Sequence, residues 1–192
     1  LSQDRSDLQF ATKRICAGMA KPTEAGVRKV KRAARYLVGA KKLIWSFRMD
    51  GEEAEFIEAY VDSDWGGDRK TRKSTSGGML VVGGTCVKSW SRSQKSRALS
   101  SAEAEYYAML GGAAEALGMQ AIALDWGWSL KVRIWTDSKA GTGIASRRGL
   151  GKTRHVEMKF LWLQQAVRSW LLNPSNAADE HLGEALTNDS HM

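Results

Sequence analysis

The chain has 192 residues, 43% of them apolar, which is enough to bury a core and too apolar for a chain disordered throughout. Its 29 Lys+Arg against 21 Asp+Glu leave a formal net charge of +8. That surplus points to a polyanionic partner, nucleic acid first and an anionic membrane surface second, or more plainly to a basic surface that keeps the protein in solution. No apolar run reaches the ~18 residues of a membrane span, and the polar start LSQDRSD lacks the hydrophobic stretch of a signal peptide. Cys16 and Cys86 fit no metal spacing and read as buried, reduced thiols of an intracellular protein. With so few histidines and cysteines, any metal has to sit on oxygen ligands.

Residues 7–20 place Leu8, Ala11, Ile15 and Met19 at helical spacing. After KPT, Thr23 is a good N-cap for a second helix, EAGVRKVKRAARYLVG, which Gly39 stops. Val27, Val30, Ala34, Leu37 and Val38 occupy one side of it, and Arg28, Lys29, Lys31, Arg32 and Arg35 crowd the rest. Such a face is either solvated or suited to a phosphate backbone. The stretch KLIWSFRMDGEEAEFIEAYVDSD reads as two strands joined at the turn pair Asp50–Gly51. In the second strand, Phe56, Glu58, Tyr60 and Asp62 share one face, and Ile57, Ala59 and Val61 the other. Two more strands follow around Gly83–Gly84, then a long helix from about Ser101 to Leu124 and a short buried strand, KVRIWTDS. A small helix (KAGTGIASRR) and an amphipathic one (RHVEMKFLWLQQAVRSWLL) follow, with Trp162 and Trp170 read as core. A β-meander followed by helix, strand and helix indicates a mixed α/β sheet. The final NDSHM reads as a disordered or expression-derived tail.

Acids stand out in this basic chain at the ends of strands. Asp62 ends one strand and Asp137 another, and such ends converge where parallel strands lie side by side. Ser100 with Glu103 matches a capping box, which gives Glu103 a structural role. Glu105 lies on another side of that helix, among Ala104, Tyr106 and Tyr107, where a carboxylate needs a partner such as a cation. Asp179 in NAADEHL is either plain helix-terminus charge or a member of the same group. Strand alternation puts Asp62 and Asp64 on one side, so geometry alone leaves both open.

The segments AYVDSDWGGDRKTRKSTSGG, SWSRSQKSRALSSAEAEYYA, IWTDSKAG and KTRHVEM, in that order, closely resemble the ribonuclease H domain of copia-type LTR retrotransposon polyproteins. The likeness covers roughly residues 56–160, and the stretch before it is similar to the tail of the reverse transcriptase preceding that domain. It implies an α/β ribonuclease H-like fold: a five-stranded mixed sheet with the first three strands antiparallel and helices on both faces, plus an N-terminal helical segment. The implied divisions are 1–50 (end of the reverse transcriptase), 51–187 (ribonuclease H domain) and 188–192 (tail). Also implied is a metal site of Asp62, Glu105, Asp137 and Asp179 holding two magnesium ions, for which manganese can substitute. The match selects Asp62 over Asp64, and makes Asp64 and Asp68 turn residues. RSWLLNPSNAAD is several residues shorter than the family's strand and P-G-x-x-N-P-A-D, and LGEALT replaces the threonine–lysine expected after the last aspartate.

The substrate implied is an RNA–DNA hybrid, whose RNA strand is recognised by its 2′-OH and held mostly by its backbone. Ser63, Arg72, Lys73, Thr75, Ser76 and Ser138 flank the carboxylates and are candidate phosphate contacts. In KSWSRSQKSR, Lys88, Arg92, Lys95 and Arg97 surround Trp90 as a hybrid-contacting patch or an exposed edge. His155 is a candidate for proton transfer or a helix-start residue. The expected partners are the hybrid and the reverse transcriptase portion of the same polyprotein, with no membrane. The function expected is metal-dependent cutting of RNA in hybrids; the alternative is a degenerate or domesticated module that binds nucleic acid without cleaving it. A DNA-strand transferase on the same fold is disfavoured, because integrase-like enzymes space their acids differently.

Overall fold

The computed structural model describes residues 5–47, 54–149 and 161–169. A 3-10 turn (Ser6–Leu8) leads into α1 (Gln9–Cys16), and α2 (Glu24–Gly39) follows. The Thr23 side chain accepts a hydrogen bond from the Gly26 N–H at 3.2 Å, the N-cap expected from the sequence. No residue of α2 is buried; it lies against α1, and within it Gly26, Ala33 and Leu37 are half-covered. Val27, Val30, Ala34 and Val38 therefore stay exposed.

Three antiparallel strands come next: β1 (Phe56–Asp64), β2 (Thr75–Val82) and β3 (Thr85–Ser93). β2 and β3 are joined by Gly83 and Gly84, with φ of 55° and 72°, a two-residue turn needing positive φ at both positions. The long helix α3 (Ser101–Asp125) then returns the chain to β4 (Lys131–Trp135), which lies parallel to β1. Among the described residues the sheet has four strands, in the order β3-β2-β1-β4, and α4 (Lys139–Ser146) and α5 (Trp162–Ser169) complete the elements.

The strand expected before β1 is not formed over its described part, residues 42–47. The physical reason is the sheet order: β2 fills one edge of β1 and β4 the other, leaving no edge for a preceding hairpin partner. The Asp50–Gly51 turn, Trp170 and the segment expected to supply a fifth strand lie outside the described residues. Both cysteines are free, but neither is buried as expected: Cys86 is half-buried and Cys16 is exposed. It ends α1 beyond Lys13, whose Nζ donates to Thr75 Oγ1 at the rim of the sheet.

Alternation in β1 sends Ile57, Ala59 and Val61 into the core, as the sequence suggests. They meet Leu80 of β2, Val132 and Ile134 of β4, and the small-residue face of α3 (Ala108, Gly112, Ala113, Ala116). Burying a side chain such as Ile57 or Leu80, each at 0% exposure, contributes about 1.5–3 kcal/mol. Small residues let α3 approach β1 closely: a Cβ at Gly112 would sit 2.3 Å from Val61 Cγ1. Farther along α3, Glu115 is clasped by Lys88 and Arg92 of β3. Burial pushes the Glu115 carboxyl up, but the two cations outweigh it and hold it below its ordinary value. Trp90, between those cations, is buried at 6% exposure over Gly78.

Gly112→Ala should lower the unfolding free energy by about 1–3 kcal/mol in urea titrations, because the stiff Val61 cannot yield. Combined with Val61→Ala, it should cost less than the sum of the two single changes.

Candidate metal centre

The parallel pairing of β1 with β4 sets the first two acids side by side. Asp62 lies in the last third of β1, opposite Gly77 of β2, and Asp137 follows β4 by two residues. Glu105 comes from the second turn of α3. One carboxylate oxygen each from Asp62, Glu105 and Asp137 lie within 4.8 Å of one another. Among the described residues this is the group of acids placed to share a cation.

The start of α3 fixes which glutamate faces this group. Ser100 Oγ accepts from the Glu103 N–H (3.2 Å), and Glu103 Oε2 accepts from the Leu99 N–H (2.9 Å). Tyr107 donates its hydroxyl to Glu103 Oε1 at 2.6 Å, so the buried Glu103 is fully engaged in structure. Two residues on, about 200° around the helix, Glu105 turns to the acids. Gln94 holds this end of α3 to the sheet: its Nε2 donates to Ala104 O (2.8 Å) and Ser76 Oγ (2.9 Å).

Glu105 has one satisfied oxygen and one that is not. Ser63 donates its hydroxyl to Glu105 Oε1 at 2.9 Å, while the Ser63 N–H donates to Asp62 Oδ1 at 2.7 Å. Glu105 Oε2 is buried with no hydrogen-bond partner among the described residues. Burial first, then the charges of Asp62 and Asp137, push the Glu105 carboxyl above its ordinary value, and the Ser63 hydrogen bond works against them. A group of three carboxylates, two exposed and the half-buried Glu105 with an orphaned oxygen, fits a hard divalent cation, which takes all-oxygen ligands and removes the repulsion. Gly141 of α4 makes room here, since a Cβ there would lie 3.0 Å from Glu105 Cβ. Sequence reading missed Gly141 and Gln94, because the space and the bridge exist only after α3 and α4 pack.

The structure separates the aspartates of the first motif. Asp64 Oδ1 accepts from the N–H of Thr75, its register partner on β2, so Asp64 closes the end of the hairpin and is not in the three-acid group. Asp68 Oδ1 accepts from the N–H groups of Lys70 (2.9 Å) and Thr71 (3.3 Å), a turn role. Trp65 donates Nε1–H to Ala98 O at 3.1 Å, tying this loop to the approach to α3.

The other expected contacts scatter. Arg72, at φ 58°, lies exposed in the loop beside Lys73, near the β1–β2 end. The Thr75 and Ser76 hydroxyls accept from Lys13 and Gln94. Ser138 caps α4, its Oγ accepting from the Gly141 N–H at 3.0 Å. Arg92 pairs with Glu115 and Trp90 is core, so these two members of the expected patch serve the β3–α3 contact. His155 and Asp179 lie outside the described residues. No helix among the described residues is long and apolar enough to cross a membrane.

A mixed α/β sheet with strand-end acids that can share a cation is the class this geometry defines. No protein-family model matches the chain. It is 26% identical over 191 residues to a retrovirus-related Pol polyprotein from transposon RE1 of Arabidopsis thaliana, covering 97% of this chain and 13% of that protein. To the polyprotein from transposon TNT 1-94 of Nicotiana tabacum it is 26% identical over 165 residues, 85% of this chain and 12% of that one. It is also 34% identical over 113 residues to secreted RxLR effector protein 161 of Plasmopara viticola, 59% of this chain and 78% of that protein. A crystal structure of RNase H1 from Halobacterium salinarum matches with a TM-score of 0.40 and 20% identity, over 60% of this chain and 82% of that one. The chain is similar to a region of the copia-type retrotransposon Pol polyproteins, and it spans about an eighth of those relatives' length.

A raised Glu105 carboxyl keeps a proton in the folded protein that the unfolded chain has already released. Its stabilising share is therefore lost as pH rises through the raised value, and above it the bare charge is a cost. In EDTA, thermal melts of the native chain should fall as pH climbs out of the carboxylate range, and Glu105→Gln should remove that component. Magnesium should raise the native melting temperature in a concentration-dependent way and leave Glu105→Gln unmoved. Ser63→Ala, which removes the hydrogen bond favouring the charged form, should shift the pH-dependent component upward.

Proposed function

We propose that this region is a metal-dependent ribonuclease H that hydrolyses the RNA strand of RNA–DNA hybrids during reverse transcription of the element. The observation that carries the reading is the grouping of Asp62, Glu105 and Asp137 from three separate parts of the fold, with Glu105 Oε2 unpartnered among the described residues. Ligands on different rigid elements hold their geometry through a turnover better than ligands on one loop. Asp62, Glu105 and Asp137 would hold magnesium, with manganese able to substitute and Asp179 as the fourth ligand implied by the family resemblance. When bound, the metal supplies activation of the attacking water and charge balance for the leaving oxygen.

The chain's own residues do the rest. Asp62 and Asp137 present oxygens from adjacent parallel strand ends, and Glu105 closes the third side. Ser63 fixes the Glu105 carboxylate by occupying one oxygen and leaving the other for the cation. Arg72 and Lys73, in the loop leaving the site, are positioned for backbone phosphate, and His155 is proposed for proton transfer. In this reading residues 1–50 end the reverse transcriptase and residues 51–187 form the nuclease. The transcriptase would then be the natural partner in the polyprotein.

Nicking of a labelled RNA–DNA hybrid in magnesium tests this reading. Glu105→Gln or Asp137→Asn should each remove about 3 kcal/mol or more of transition-state stabilisation, a loss of about 100-fold or more in rate. Full activity in both variants would show the site to be elsewhere. Salt-sensitive hybrid binding by the native chain, with no cleavage in magnesium or manganese, would instead favour a module that binds without cutting.

A further inference from the structure

We propose that α2 is a second nucleic-acid contact, in which Arg28, Lys31, Arg32 and Arg35 bind the phosphate backbone of the duplex whose scissile strand lies at the carboxylates. These four fall at i, i+3, i+4 and i+7, the spacing of a single helix face. That face lies opposite Gly26, Ala33 and Leu37, the residues of α2 that are half-covered, so it points away from the protein. All four side chains are on exposed residues. Glu24 is the one acid in α2, and it meets only Arg28, at 3.7 Å with both side chains largely in solvent. Lys31, Arg32 and Arg35 have no ion-pair partner among the described residues.

The placement of the helix gives this charge a direction. α1 is fastened to the sheet by Gln9, whose Nε2 donates to Ser89 O at 3.0 Å, and by Lys13, which donates to Thr75 Oγ1. From Ser89 to Thr75, α1 runs toward the end of β1 that carries Asp62, since Thr75 pairs with Asp64. α2 runs back: Tyr36 donates its hydroxyl to Asp7 Oδ2 (2.7 Å), and Arg5 donates to Ala40 O (3.0 Å), both beside the start of α1. The N-terminal half of α2 is thus at the carboxylate end, and its cations form a track leading away from the site along the outside of the hairpin. A site rich in acid repels a polyanion until metal is bound, so affinity has to come from cations beside it. The patch of Lys88 and Arg92 is committed to Glu115, whereas the α2 face has almost no internal partner.

The substrate class comes from the hydrolase reading, but cleavage is not required. Fluorescence anisotropy of a short labelled RNA–DNA hybrid with the whole chain, in EDTA across a salt series, reads binding alone. The variant Arg28→Gln/Lys31→Gln/Arg32→Gln/Arg35→Gln should weaken binding about tenfold or more and flatten the slope of log K against log salt by about 3 units. Arg28→Lys/Arg32→Lys/Arg35→Lys, which keeps the charge, should retain the native slope. Asp137→Asn, which removes one repelling charge, should bind at least as tightly as the native chain while losing cleavage, so a failure of cleavage and a failure of this surface are told apart. An unchanged affinity and slope in the four-glutamine variant, with native circular dichroism, would overturn the proposal. So would the same unchanged binding accompanied by altered self-association, which would make the face a protein contact.

Discussion

Three carboxylates held within 4.8 Å of one another are an electrostatic liability, and the architecture around them is arranged to keep them together despite it. Burial first, and then the charges of Asp62 and Asp137, raise the cost of ionising Glu105. Among the described residues no lysine or arginine pairs with these three acids. Among those residues the side-chain hydrogen bond to Glu105 comes from Ser63, and it satisfies only one of the two oxygens. A cation is the neutralising partner that fits the donor set, and the rest of the structure can be understood as scaffolding for it.

That scaffolding is a chain of close approaches. Parallel pairing of β1 with β4 brings two strand ends together, and α3 must lie close over β1 to deliver the third acid. Gly112 permits that closeness against Val61, and Gly141 permits α4 to pass beside Glu105. The end of α3 nearest the acids is held by Gln94 and by the Glu103–Leu99–Tyr107 bonds. Its later turns are held by Lys88 and Arg92 on Glu115. Stability and function meet in α3, because whatever loosens it displaces Glu105.

Local chemistry was legible in the sequence and tertiary space was not. The alternation of β1, the Gly83–Gly84 turn, the Thr23 and Ser100 caps and the structural role of Glu103 each follow from a few neighbouring residues, and each is present. Whether residues 42–47 pair depends on which edges of β1 remain open, a property of the whole sheet. Trp90 and Arg92 read as a surface patch because alternation does not say which face a helix will cover; α3 covers theirs. The choice between Asp62 and Asp64 was open to geometry and closed by family likeness. The structure supplies the missing physical reason, in that Asp64 faces its own hairpin partner Thr75 and accepts from its N–H.

The central claim is that Asp62, Glu105 and Asp137 share a divalent cation. The most direct measurement is a crystal of the chain soaked in manganese, with the ion located by its anomalous scattering. The expected result is a peak at about 2.0–2.3 Å from carboxylate oxygens of these three residues. A peak held instead by Asp64 or Asp68, or no peak among the three at saturating manganese, would contradict it.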